Sequence, residues 1–147
     1  MVESADPVEH EPAFSSWGEG GFGSVWINSE TEQYYPQSYR IRARINYLKG
    51  ELSKLEDSKI VSLLERYVRQ MERELMLFQS SDWAFMIHNR SSDGYARRRL
   101  ESHYLGAESL FGEARMVLAD YSGNARAKIE TPVLTELEKN DNIFSRQ

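Results

Sequence analysis

Apolar residues recur at helical spacing along most of this chain. After Pro36, the residues Ile41, Ile45, Leu48, Leu52 and Leu55 stand four, three, four and three apart, the seam of an amphipathic helix that Gly50 weakens slightly. The Asp57-Ser58 pair offers an N-cap for a second helix with the stripe Val61, Leu64, Val68, Met71, Leu75 and Phe78. Ser80, Ser81 and Asp82 can cap a short apolar helix from Trp83 to His88, and Asn89 to Ser91 read as a break. Ser92 or Asp93 then caps a helix carrying Leu100, Tyr104, Ala107, Phe111, Ala114 and Leu118, which should stop near Ser122-Gly123-Asn124. Thr131 followed by Pro132 reads as an N-cap with proline at the first helical position, opening a final short helix from Pro132 to Lys139.

Three long stripes joined by short connections can bury their faces against one another, so the pattern predicts a mainly α fold: an antiparallel bundle of three main helices plus short helices. The N-terminal part differs. From Phe14 to Asn28, four glycines (Gly18, Gly20, Gly21 and Gly23) alternate with aromatic residues, which predicts an ordered loop with a short strand at Ser24 to Ile27. Residues 1–13 are acidic, carry Pro7 and Pro12 and have no periodicity, so they read as a flexible lead-in to one domain over 14–147.

Composition narrows the setting. Hydrophobic residues make up 40% and charged residues 28%, a balance that favours a folded domain over a disordered tail. The 23 acidic against 18 basic residues give a formal charge of -5, a field that repels phosphate backbones and anionic lipid, so neither nucleic acid nor a membrane is an expected partner. There is no cysteine, which excludes disulfides, thiolate metal sites and thiol nucleophiles. No apolar run approaches the ~20 residues that span a bilayer. Met1 to Pro12 lack the basic start and apolar stretch of a signal peptide, so a cytoplasmic location is expected.

Few catalytic patterns survive inspection. GEGGFGS lacks the order and the lysine of a phosphate-binding loop. His10, His88 and His103 are far apart and have no companion ligands at metal-site spacing, so no metal is expected and they read as surface or core residues. No serine sits in a nucleophile elbow. Trp17 and Trp26, by contrast, share one glycine-bearing loop, nine positions apart, outside any helical stripe. Flat aromatic faces suit the C–H surface of a sugar ring, and anchoring of the loop in the core is the other use such residues serve. Asp82, beside Trp83, reads first as a helix cap, and a carboxylate beside an aromatic residue is also a frequent ligand for sugar hydroxyls. Arg97, Arg98 and Arg99 point around the circumference of their helix and read as a solvated face.

The phrases SSWGEGGFGSVWIN at Ser15 to Asn28, SSDWAFMI at Ser80 to Ile87, YARRR at Tyr95 to Arg99 and LTELEKNDNIF at Leu134 to Phe144 resemble the C-terminal helical domain of glycoside hydrolase family 57 α-glucan branching enzymes. The likeness runs from Phe14 to Phe144. It implies a domain that accompanies a distorted (β/α)7 barrel and takes part in cutting α-1,4-linked glucan and rejoining it as α-1,6 branches with retention. That double displacement needs a carboxylate nucleophile and a carboxylic acid/base, both of which the resemblance assigns to the barrel, so no catalytic residue and no cofactor is expected within these 147 residues. What it carries over is a share of the glucan cleft: Trp17 and Trp26 match the family's loop tryptophans and Asp82 its SSDW acid, with Trp83 as core beside them. Ala84 and Ser145 depart from positions where the family often has proline. The implied partners are an α-glucan and a family 57 barrel; a helical protein-interaction module that has lost carbohydrate binding is the alternative, with the surface around Trp17 and Trp26 as its contact.

Overall fold

The helical stripes become five α-helices: α1 (Tyr34–Leu52), α2 (Ser58–Phe78), α3 (Ser81–His88), α4 (Asp93–Ser122) and α5 (Pro132–Asn140). The computed structural model describes residues 9, 11–13, 15–122 and 131–143. Phe14, the expected helix stop at Gly123-Asn124, the Phe144-Ser145 pair and most of the acidic lead-in lie outside the described residues.

Ile41, Ile45 and Leu48 of α1 are buried, as are Leu64, Val68, Met71 and Phe78 of α2 and Leu100, Ala107 and Ala114 of α4. The α1 helix starts two residues before Pro36, which therefore sits in the first turn, where its missing N–H leaves no hydrogen bond unmade. It stops at Leu52, so Leu55 lies past the helix end while still packing on the core. Tyr67 and Leu110 are also wholly buried, and each large apolar side chain so enclosed contributes roughly 1.5–3 kcal/mol.

Cross-links give the helix directions. Gln79 bonds Ser38 and Lys49 pairs with Glu72, so α1 and α2 run antiparallel. Tyr67 bonds Glu113 and Glu74 meets His103, which makes α2 and α4 antiparallel as well. Arg66 grips Glu138 with two bonds, fastening α5 alongside α2. The predicted bundle of three main helices is thus observed, with α3 and α5 as its short additions. Among the described residues no helix is long and apolar enough to cross a membrane.

Capping follows the expectations in part. Asp57 accepts hydrogen bonds from the Lys59 and Ile60 amides and starts α2 as expected. The α3 cap position is Ser80, which makes no side-chain cap bond; its hydroxyl instead donates to Asp82 Oδ2 at 3.4 Å, and Asp82 sits in the first turn without capping. Ser92 does not use its hydroxyl at the start of α4 either, giving it to the Ser91 carbonyl. The expected strand at Ser24 to Ile27 is absent: the Trp26 and Ile27 amides both bond back to the Gly23 carbonyl, a local turn that leaves no ladder to build. Gly23, at φ 76, permits that reversal.

Candidate functional site

The glycine-aromatic loop is held by its own polar groups. Ser16 accepts the Gly23 amide at 2.6 Å, while its own amide donates to the Gly21 carbonyl at 2.7 Å. Thr31, buried, donates to the Trp26 carbonyl at 2.7 Å, and Asn28 bonds the Ser24 carbonyl and the Glu30 amide. Gly18 has φ 104, and a Cβ there would lie 2.6 Å from Val25 Cγ2, so the chain passes Val25 at a distance only glycine allows. Glu30 fastens the far end of the loop by ion pairs to Arg90 and Arg97, and Arg97 also bonds Asp93 and the Tyr34 hydroxyl. The arginine run is therefore only partly the solvated face expected: Arg98 is exposed, but Arg97 ties loop to bundle and Arg99 reaches His103.

So held, the loop brings Trp17 and Trp26 together, their ring centroids 6.3 Å apart and their planes inclined at 59°. Trp17 also meets Phe85 of α3 at 5.8 Å and remains 71% exposed. Trp26 forms part of the wall of a cleft of about 450 Å³, within the size range of small-molecule sites. Its indole Nε1 is buried without a hydrogen-bond partner among the described residues, an unspent donor of the kind found at functional sites.

The cleft runs between α1, which supplies Tyr35, Ser38, Tyr39 and Arg42, and the turn into α3, which supplies Gln79, Ser80, Ser81 and Trp83. Trp83 is anchored by its Nε1 donating to the Leu77 carbonyl at 2.7 Å and packs on the core, as expected for it. Asp82 is exposed and does not line the cleft, although its chain neighbours Ser81 and Trp83 do. The structure thus unites the two tryptophans and leaves Asp82 apart from the cleft lining. Burial, and then the adjacent Tyr39 phenol, push the Tyr35 phenol above its ordinary value, so its hydroxyl stays a donor; it reaches the Trp26 carbonyl at 3.2 Å.

Tyr35, Tyr39 and Arg42 were not singled out from the sequence, yet their spacing of four and three marks a second stripe beside the buried seam. A polar cluster in the core was missed in the same way. Glu74 and His103 are both wholly buried, and with Asp141 they bring three ligand-type atoms within 4.8 Å of one another. Arg99 Nη2 lies 2.9 Å from His103 Nε2 and 3.6 Å from Asp141 Oδ1, so a guanidinium takes the place a cation would need. Glu74 lies three residues after Met71 and four before Phe78, a position on the buried stripe that a period count would have found.

The chain is similar to known proteins over most of its length. The profile of the family described as "1,4-alpha-glucan branching enzyme, C-terminal" matches residues 43–146. A 1,4-alpha-glucan branching enzyme of Thermococcus kodakarensis is 30% identical over 142 residues, covering 96% of this chain and 19% of that protein. Two Mycobacterium tuberculosis proteins, from strains CDC 1551 and H37Rv and each named as a probable 1,4-alpha-glucan branching enzyme, are 29% identical over 108 residues, or 73% of this chain and 20% of theirs. The chain therefore spans about a fifth of the length of these relatives. No solved structure matches it.

Proposed function

The chain belongs to the C-terminal family of 1,4-alpha-glucan branching enzymes, and from that premise we propose that it forms one wall of the glucan-binding cleft of a glycoside hydrolase family 57 type enzyme and is not catalytic alone. The observation that carries this reading is the pairing of Trp17 with Trp26 at 6.3 Å in a loop whose glycines fix it beside the cleft. The exposed Trp17 and the half-buried Trp26 of the cleft wall offer a sugar ring apolar partners, while the hydroxyl and amide groups of Ser80, Ser81 and Gln79 are at hand for sugar hydroxyls. Asp82, exposed beside them, would accept a hydroxyl hydrogen bond from a chain extending past the cleft. Holding donor and acceptor chains in place and excluding water from between them favours transfer over hydrolysis. The two carboxylates of a retaining double displacement would come from a catalytic barrel.

A second reading uses the same surface for protein. Trp17 and Phe85 pack 5.8 Å apart while 71% and 36% exposed, an apolar surface of the kind that marks an interaction site.

Titration of the purified chain with maltoheptaose, followed by tryptophan fluorescence, separates the two. A saturable change abolished in both Trp17→Ala and Trp26→Ala supports the glucan wall. No change at millimolar sugar, with self-association or partner binding lost in the same variants, would overturn it in favour of the interaction surface.

A further inference from the structure

Beside its buried seam, α1 presents a second stripe to the cleft. Tyr35, Tyr39 and Arg42 all line it. At the helical rise the three span about 10 Å along the axis, on one side of the helix. Tyr39 is 59% exposed, far more than packing into the core would leave it. Arg42 lays its guanidinium 5.0 Å from the centre of the Tyr39 ring and takes part in none of the ion pairs among the described residues. The arginines two positions to either side are engaged, Arg40 with the Tyr104 hydroxyl and Arg44 with Glu108. An arginine stacked on a ring and otherwise uncommitted is a braced fork of donors facing a cleft.

We propose that Tyr35, Tyr39 and Arg42 form a second glucan subsite, which continues the platform of Trp17 and Trp26 along α1 and makes the cleft read the length of a linear α-1,4-linked chain. This rests on the glucan reading above. The lining chemistry selects the ligand: among the described residues no carboxylate and a single cation line the cleft, and the other polar side-chain groups are phenols, serine and threonine hydroxyls, indole N–H groups and the Gln79 amide. Such a surface suits a neutral ligand that alternates apolar ring faces with hydroxyl rims. The Tyr35 hydroxyl, donating to the Trp26 carbonyl, joins the two platforms into one wall.

The test is calorimetric titration of the full chain with maltotriose and maltoheptaose, comparing wild type with Tyr39→Ala, Arg42→Ala, Tyr39→Phe and Trp17→Ala. Tyr39→Ala and Arg42→Ala are expected to weaken maltoheptaose about tenfold and maltotriose less than about twofold, while Tyr39→Phe, which keeps the ring, binds both like wild type. Unchanged melting temperatures in these exposed-site variants exclude a folding cause. Maltoheptaose binding that Trp17→Ala abolishes but Tyr39→Ala and Arg42→Ala leave intact would overturn the second subsite and spare the glucan wall. Absence of saturable heat with either sugar in the wild type would overturn both.

Discussion

His103 Nδ1 lies 2.7 Å from Glu74 Oε2, and both side chains are wholly buried between α2 and α4. Arg99 Nη2, at 2.9 Å from His103 Nε2, can only donate, which leaves Nε2 as acceptor and Nδ1–H as donor to the carboxylate. Gln70 Nε2 donates to the other Glu74 oxygen at 2.8 Å and to the Leu137 carbonyl of α5 at 3.2 Å. One connected polar network therefore fixes the mutual position of α2, α4 and α5 from inside the core.

Breaking that network from one side should be severe. His103→Ala strips the buried Glu74 carboxylate of one of its two donors and removes its paired ring, and denaturant unfolding should show a loss of roughly 3–5 kcal/mol. A double-mutant cycle of His103→Ala with Glu74→Gln should give a coupling of roughly 1–3 kcal/mol. Additive losses would show that the two groups do not act as a pair.

Glu113 does for α5 what Thr131 does not. Thr131 holds the cap position without a side-chain cap bond, and the carboxylate of Glu113 on α4 accepts the Val133 and Leu134 amides at 3.0 and 3.2 Å instead. Glu113→Ala orphans both amides and should cost about 2 kcal/mol. Hydrogen exchange should locate the loss in α5, with α1 little affected; uniform loss of protection would contradict a local cap.

These two devices show where the sequence is legible and where it stops. The stripes of α1, α2 and α4 are readable because apolar residues at intervals of three and four have one economical use, and Asp57 is readable because capping is a local event. Glu74, Gln70 and His103 lie on those same faces, but a polar residue inside a stripe declares itself only once its partner on another helix is known. The Glu113 cap joins residues twenty and twenty-one positions apart, out of reach of a local motif. In the candidate site, the tryptophan pair was legible because the glycine loop and the family resemblance single it out. The α1 stripe was not, since Tyr35 and Tyr39 read as ordinary helix surface until the turn into α3 is placed opposite them. The expected strand at Ser24 to Ile27 failed for a related reason, as a Val-Trp-Ile run favours extension only where a neighbouring strand exists to pair with it.

Alkaline unfolding should report on Tyr67. Burial first, then the Glu113 carboxylate beside it, hold this phenol protonated well above the ordinary tyrosine value. Because the folded state binds the proton more tightly, the contribution is fully present below the unfolded value of about 10 and is lost as pH rises from there through the folded value. Unfolding free energy should fall above about pH 10 by up to about 1.4 kcal/mol per pH unit from this group. The decline should be shallower in Tyr67→Phe; identical slopes in the two proteins would remove Tyr67 from the account.

Three glycines separate backbone strain from steric fit. Gly112 lies inside α4 with nothing within 4 Å of a built Cβ, so Gly112→Ala should stabilise by about 0.5–1 kcal/mol through the unfolded chain. Gly23 has equally open space but φ 76, so Gly23→Ala should cost about 1–2 kcal/mol from conformation alone. Gly18 combines φ 104 with a Cβ that would meet Val25 Cγ2 at 2.6 Å, and Val25 is buried and cannot step aside freely. Gly18→Ala must therefore displace the loop, carrying Trp17 away from Trp26 and Phe85. The near-ultraviolet circular dichroism of the indoles should collapse, and maltoheptaose should cease to change the fluorescence, while far-ultraviolet helix content stays intact. A Gly18→Ala protein that keeps its indole signal and its response to sugar would show that the close approach at Val25 does not set the geometry of the tryptophan pair.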